Sequence, residues 1–277
     1  MFNMLIIDER KILRLNNDNL IYDSFDKNII FFFKEISDLI FSSKKYRQHS
    51  DLIAFAYWAR PENLNNIRLS INKNNYFKGR GLVFHVTPSN VPTNFIYSLA
   101  FGLICGNSNI IKIPSKKFIQ IDLLVSIILK ILNKKNYKKF KKRINFIKYD
   151  TANKNISEYL SFISDARMVW GSDDTINFFK SLKTQIHCKD LFFYDKYSFS
   201  VINSKKILDE KTNIKQITKK FYNDTLLFDQ NACSSPHIIF WYGNNKNCEL
   251  AKNFFWNSLS SFVDKNYDNN HFKIIYK

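Results

Sequence analysis

Gly81-Leu-Val-Phe-His-Val-Thr-Pro-Ser-Asn-Val-Pro92 decides how this chain is read. Leu82–Val86 is a short apolar run of the length of a buried strand, and the prolines on either side of Asn90 end the ladder and stiffen the turn that follows. The alternation continues downstream. After an apolar segment, Asn94–Ile104, that ends near Gly106, Ile110–Ile113 reads as a strand and Phe118–Leu132 has helical length and spacing. Ile144–Tyr149 is strand-like, Ile156–Ile163 helical, Arg167–Trp170 strand-like and Asp174–Leu182 helical. Strands and helices in turn predict βαβ units and a parallel sheet, hence an α/β fold. Such sheets bind ligands at the carboxyl ends of their strands.

Residues 1–78 read as a mostly helical lead-in, with the apolar run Ile29-Ile-Phe-Phe-Phe33 and an amphipathic stretch from Leu52 to Leu69. Residues 79–200 hold the alternating pattern. Residues 201–277 begin a further α/β region. Around that soft boundary come the strand-like runs Leu191–Tyr194 and Phe199–Ile202, then a helical segment from Ile207 to Phe228, a strand His237–Tyr242 and a helix from Asn247 to Phe262.

The formal net charge is +18, which invites a nucleic-acid or membrane reading. Lys outnumbers Arg by 34 to 8 and is spread along the whole chain, as solvated surface lysines would be. The densest basic stretch, Lys130–Lys148, is either a polyanion-binding stripe or a solvated helix end and loop before the next strand, and the flanking βαβ pattern favours the second. No specific nucleic-acid motif is present. Cys105, Cys188, Cys233 and Cys248 have neither zinc spacing nor a disulfide framework, so no metal is expected and the setting is read as reducing and cytoplasmic. The amino terminus meets charge too early for a signal peptide, and the longest apolar stretch, Phe95 to Cys105, is too short to span a membrane.

A second segment carries chemistry: Asp229-Gln-Asn-Ala-Cys-Ser-Ser-Pro236 places the Cys233 thiol among small polar residues between a helix and a strand. A cysteine is ordinarily a small buried hydrophobe, but this company is poor for a core, and a thiolate with its own backbone N–H suits acyl transfer. Asn90 is either a turn former or an amide donor to an oxyanion. Lys112 and Ser115, at the end of a strand, suit a ribose hydroxyl or a 2′-phosphate. Gly171-Ser172 either lets a dinucleotide phosphate approach the next helix or is a plain turn with Ser172 as N-cap. The usual Gly-x-Gly-x-x-Gly is missing. His85 and His237 sit in strands and read as structural.

These segments, with Tyr97-Ser-Leu-Ala-Phe-Gly-Leu-Ile-Cys-Gly-Asn107, Asn109-Ile-Ile-Lys-Ile-Pro-Ser115 and Val169-Trp-Gly-Ser172, resemble in order and spacing the LuxC-type acyl-CoA reductases of the aldehyde dehydrogenase superfamily. The resemblance spans about residues 79–262. It implies an aldehyde-dehydrogenase-like fold: a parallel Rossmann-type sheet with helices on both faces, then the start of a second α/β catalytic domain. Residues 79–200 become the dinucleotide-binding domain and 201–277 a partial catalytic domain. The implied activity is NADPH-dependent reduction of a fatty acyl thioester, acyl-CoA or acyl-carrier protein, to an aldehyde. Cys233 becomes the acylated nucleophile, Asn90 the oxyanion asparagine, Lys112 and Ser115 the NADP-ribose contacts, and Gly171 and Ser172 the nucleotide-binding turn. An acyl-protein synthetase partner and a homo-oligomer are also implied.

Two departures matter. The stretch where many aldehyde dehydrogenases keep a water-activating glutamate reads Phe193-Tyr-Asp-Lys-Tyr-Ser-Phe-Ser200, which fits a reductase. Family members also continue well past the nucleophile, whereas this chain has 44 residues after Cys233. That raises the alternative of a truncated, non-catalytic nucleotide-binding fragment, beside the nucleic-acid-binding alternative raised by charge.

Overall fold

The computed structural model describes residues 6–7, 9–13, 15, 21–71, 76–114, 116–150, 153–209, 212–227 and 229–267. A two-residue strand, β1 (Ile6–Ile7), and one helical turn, α1 (Glu9–Ile12), come first. Then follow α2 (Lys27–Ser42), α3 (Lys44–Arg47), α4 (Ser50–Trp58) and α5 (Pro61–Ile71). Asp26 starts α2 by accepting from the Asn28 N–H at 2.7 Å, satisfying one of the donors a helix start leaves open. Ile29, Phe32, Phe33, Ile36 and Ile40 then recur at helical spacing and are buried. Pro61 cannot continue α4, so it opens α5 at a first position where its missing N–H costs nothing, and the stretch from Leu52 to Leu69 becomes two helices.

The central pattern is β2 (Leu82–Val86), α6 (Asn94–Ile104), β3 (Ser108–Lys112), α7 (Ile119–Leu132), a 3₁₀ helix (Lys135–Arg143), β4 (Ile144–Ile147), α8 (Lys154–Ile163), β5 (Ala166–Trp170), α9 (Asp173–Ser181) and β6 (Lys189–Phe193). The six strands form one parallel sheet in the order β1-β4-β3-β2-β5-β6. One face, with Ile111, Ile144 and Phe146, packs on α6 and α7 and on the helices α2 and α4 from the lead-in. The other, with Phe84, Ile110 and Val169, packs on α8 and α9 through Ile156, Leu160, Ile176 and Phe179. This is the expected α/β architecture, buried on both faces as parallel sheets require.

The basic stretch has a period of its own. Tyr137, Phe140 and Arg143 are three apart, which eclipses them on one side of a 3₁₀ helix, and all three are buried while the intervening lysines face solvent. Arg143 donates to the carbonyls of Leu103 and Asn107, at 3.3 and 3.1 Å, and lies 3.9 Å from the centre of the Tyr22 ring.

Residues 1–194 form one compact unit and 195–277 a second. The second contains β7 (Ser198–Asn203), α10 (Ser204–Ile207), α11 (Ile214–Thr225), β8 (Pro236–Tyr242) and α12 (Asn245–Asn266), with β7 and β8 paired in parallel. Asn203, Asn213 and Asn244 each cap a helix by accepting from the N–H three residues on, at 3.2, 3.1 and 2.8 Å. The run from Ile207 to Phe228 is therefore helical only from the Asn213 cap onward, as α11, while Ile207 closes the short α10. No helix among the described residues is long and apolar enough to cross a membrane.

Candidate active site

Strand order sets where a ligand can sit. From β2 the chain moves through β3 to β4 on one side, then crosses back to β5 and β6 on the other, so the sheet reverses direction between β2 and β5. Loops leaving adjacent strands at such a switch point part and leave a crevice at their carboxyl ends. Val86, the last residue of β2, is paired with Lys112 on one side and Val169 on the other. The β2 loop with Asn90, the end of β3 with Lys112 and the β5 loop with Gly171 and Ser172 therefore lie along one edge of the sheet.

Thr87 fixes the start of the first loop, its Oγ1 donating to the Lys112 carbonyl at 2.7 Å. Asn90 is exposed in the turn that follows. Thr93 Oγ1 and Asn94 Oδ1, at the entrance to α6, are buried without a hydrogen-bond partner. Lys112 is only 7 % exposed, and its Nζ stands 5.0 Å from the centre of the Tyr149 ring. Burial lowers its pKa from the ordinary lysine value, and Asp150 works in the opposite direction. Ser115 falls outside the described residues.

The Gly171 N–H donates to the Phe193 carbonyl at 3.3 Å. A Cβ there would stand 2.8 Å from the Thr175 Cβ, so glycine is what allows the chain to turn this tightly into α9. Ser172 is the N-cap of α9, accepting from the Thr175 N–H at a long 3.5 Å. Beside it the rings of Trp170 and Phe193, register partners on β5 and β6, stack 3.7 Å apart and 5° from parallel.

His85 is structural. It is fully buried, with Nδ1 2.8 Å from Ser98 Oγ and Nε2 3.0 Å from Asn109 Oδ1. The Asn109 amide nitrogen donates to the Asn107 carbonyl, so its oxygen must accept from Nε2–H, leaving Nδ1 to accept from the serine hydroxyl. Burial lowers the imidazole pKa to about 4.

In the second unit Cys233 is exposed on the loop between α11 and β8. Asp229 and Gln230 hold left-handed backbone, with φ of 52° and 61°, and turn the chain away from α11. Tyr267 donates to Asp229 Oδ1 at 3.0 Å, and Ser235 donates to the Asp224 carbonyl at 2.8 Å. Ser198 Oγ donates to the carbonyl of Cys233 itself at 2.7 Å. The loop is thus tied at both ends and at the cysteine. Cys248 is buried, and loss of solvation raises the pKa of the Cys105 and Cys188 thiols. Among the described residues no cluster of His, Cys, Asp and Glu could hold a metal ion.

Over residues 50–261 the chain matches the family model described as Acyl-CoA reductase (LuxC). The chain belongs to the LuxC family. No curated protein matches this LuxC chain. Among solved structures it is similar to an oxidoreductase from Marinobacter aquaeolei, at 12% identity and a TM-score of 0.60, over 94% of this chain and 56% of that one. It is also similar to Rhodopseudomonas palustris propionaldehyde dehydrogenase with bound propionyl-CoA, at 15% identity and a TM-score of 0.54, over 85% and 53%. A third is a 3,6-anhydro-L-galactose dehydrogenase in complex with NAP, at 12% and 0.51, over 86% and 51%. The shared feature is an aldehyde-dehydrogenase-like Rossmann fold, and the LuxC chain spans about half the length of the structures it matches.

The sheet edge gathers a cation, a turn without a side chain and a buried donor. Lys112 offers a cation at the crevice, Gly171 keeps the turn free of a side chain, and the Trp170 Nε1–H is buried without a partner beside it. The start of α9 is a weaker anion site, because Asp173 and Asp174 in its first turn already answer the helix dipole. Sequence reading singled out Lys112, Gly171 and Ser172 at this edge and Cys233 in the second unit. It missed Thr87, Tyr149, the Trp170–Phe193 stack and Ser198. The one signal for Thr87 was its place as the first polar residue after an apolar strand.

Proposed function

We propose that this chain carries the nucleophile of a cytoplasmic reductase that converts fatty acyl thioesters, acyl-CoA or acyl-carrier protein, to aldehydes with NADPH. The Cys233 thiolate attacks the thioester carbonyl carbon and forms a new carbon–sulfur bond. The tetrahedral adduct then expels the CoA or carrier thiolate, leaving an acyl-cysteine. The Cys233 backbone N–H and, as the resemblance to the family implies, the Asn90 side-chain amide are the proposed donors to the oxygen that gains charge; one such donor contributes about 3 kcal/mol at the transition state. NADPH, when bound, supplies the hydride that releases the aldehyde and restores the thiolate. Lys112 and Ser115 would hold its ribose end, and Gly171 and Ser172 would make room for its phosphates.

The observation that carries this reading is the exposed Cys233 thiol on a braced loop inside the span that matches the family. The lack of a glutamate in Phe193–Ser200 agrees with it, since reduction needs no activated water. Thioester-dependent NADPH oxidation by the purified chain should vanish in Cys233→Ala; an unchanged rate rejects the mechanism. A second reading rests on the half-length match to the solved structures. It makes the chain a nucleotide-binding fragment, which binds NADPH without acylation of Cys233.

A further inference from the structure

At nine residues the 3₁₀ helix from Lys135 to Arg143 is long for its kind, since runs beyond about 3–4 residues are uncommon. Three residues make one turn, so side chains three apart eclipse and stand in rows. One row, Tyr137, Phe140 and Arg143, is buried. Its two aromatic rings lie 5.6 and 6.4 Å from the Phe32 ring of α2, and its guanidinium is tied to the Leu103 and Asn107 carbonyls. The other two rows face solvent: Lys135, Lys138 and Lys141 in one, Lys139 and Lys142 after Asn136 in the next. With a rise of about 2 Å per residue, the lysine stems repeat about every 6 Å along each row.

Like charges held at that spacing repel, so a row of this kind calls for a counter-charge. The chain does not supply one locally. Residues 123–149 contain no Asp or Glu. Lys134, just before the helix, pairs with Glu35, but none of the five lysines has an ion-pair partner among the described residues. The buried row fixes their stems while their charges stay unanswered.

The chemistry of this face fits a lipid surface better than a nucleic acid. Guanidinium forks and aromatic platforms, the groups that grip nucleic acids, are turned inward here as Arg143, Tyr137 and Phe140. What remains outside is lysine, a point charge on a flexible stem that meets many headgroups without a fixed geometry. Clusters of about 4–8 basic residues on an amphipathic helix anchor peripheral proteins to anionic leaflets. The helix leads into the amino end of β4, so the lysines lie at the edge of the sheet opposite Asn90, Lys112 and Gly171. A surface bound there leaves the crevice open.

We infer that the lysine face of the 3₁₀ helix is an electrostatic docking surface for an anionic phospholipid bilayer, which holds the chain at the membrane surface without inserting it.

The test is sedimentation of the full chain with vesicles of phosphatidylcholine alone, or of phosphatidylcholine with about 30% phosphatidylserine, at about 0.1 M salt. One variant carries Lys135→Gln, Lys138→Gln, Lys139→Gln, Lys141→Gln and Lys142→Gln. The control replaces Lys205, Lys206, Lys219, Lys220 and Lys246, exposed lysines of the second unit, by Gln, so both variants lose the same net charge. A lysine close to an anionic leaflet contributes about fivefold in affinity. The helix variant should therefore bind anionic vesicles about 100-fold or more weakly than the parent chain, and the control less than about tenfold more weakly. The parent chain should ignore phosphatidylcholine and should leave the anionic vesicles at about 1 M salt, where screening reaches about 3 Å. Equal losses in the two variants would assign the binding to net charge at large and overturn the inference. So would a parent chain that binds neither vesicle, or a short RNA that displaces the anionic vesicles and depends on the same five lysines.

The parent chain alone gives a second readout that no variant's folding can disturb. Anionic vesicles should protect Lys138, Lys139 and Lys141 from amine acetylation and leave Lys205 and Lys219 reactive; uniform protection, or none, also overturns the inference. Neither readout involves Cys233 or a cofactor, so failure of the docking is told apart from failure of the proposed chemistry.

Discussion

Ser198 Oγ donates a 2.7 Å hydrogen bond to the backbone carbonyl of Cys233. The first residue of β7 therefore holds the carbonyl of the residue that presents the thiol, and the Cys233 N–H belongs to the preceding peptide. That N–H is left to the oxyanion in the proposed chemistry. Ser198 acts through Cys233 and is a positioning residue.

Ser198→Ala should slow acylation of Cys233 about fivefold, in line with the roughly 1 kcal/mol net value of one such bond. Ser198→Thr, which keeps the hydroxyl, should recover most of the rate. Acylation is followed by single-turnover mass spectrometry. Equal rates in Ser198→Ala and the parent chain would remove Ser198 from the account.

Exposure should rank the cysteines. Brief treatment of the folded chain with iodoacetamide at neutral pH should label the exposed Cys233 and Cys105 ahead of Cys188, with burial pushing the Cys105 thiol up and so slowing it, and should label the buried Cys248 last. Peptide mapping at several times checks the order, and preferential labelling of Cys248 would contradict the placement of the loop.

Gly102 lies where α6 meets the sheet. A Cβ there would come within 1.9 Å of Asn109 Oδ1 and 3.0 Å of His85 Nε2, so Gly102→Ala must push apart the Ser98–His85–Asn109 bridge. A loss of about 2 kcal/mol, typical of overpacking with a polar contact disturbed, is expected in urea unfolding.

His85 gives the first unit a pH dependence with a definite sign. Burial holds its folded pKa at about 4, against 6.5 for the free group, so between these values the unfolded chain binds the proton more readily. The contribution is complete above pH 6.5 and is lost as pH falls toward 4. The full span is of order 3 kcal/mol. Urea midpoints at pH 7 and pH 4.5 should differ by more in the parent chain than in His85→Gln; equal shifts would assign the dependence elsewhere.

Much of the first unit was legible in the sequence. Leu82–Val86 is a strand in the structure with the bounds its apolar run gives, and the Phe118–Leu132 pattern corresponds to α7 within one residue. Both are long or uniform enough for local pattern to outweigh context. The strand β1 carried no signal, because two residues acquire strand character only by pairing with Phe146 and Ile147 of β4. The Lys135–Arg143 helix was read as a helix end and loop, since a three-residue repeat of Tyr137, Phe140 and Arg143 is easily lost among lysines. Nor could periodicity show that Phe33 and Ile36 pack in the same core as α6 and α7. At the site, residue types pointed to Lys112, Gly171 and Cys233. Their braces, Thr87, Tyr149 and Ser198, are joined to them only by folding.

A basic side chain buried at the sheet edge should matter to the cofactor more than to the fold. Lys112→Met removes an ammonium whose charged form burial already disfavours, so stability should hold or rise, while NADPH binding by calorimetry should weaken about tenfold or more. Unchanged NADPH affinity in a folded Lys112→Met chain would move the ribose contact away from β3.

Intact-mass analysis of the purified chain after incubation with a long-chain acyl-CoA tests the central claim most directly. The account predicts one acyl adduct, mapped to Cys233, absent in Cys233→Ala and discharged when NADPH is added. A folded chain that takes up no acyl group at Cys233 would contradict it.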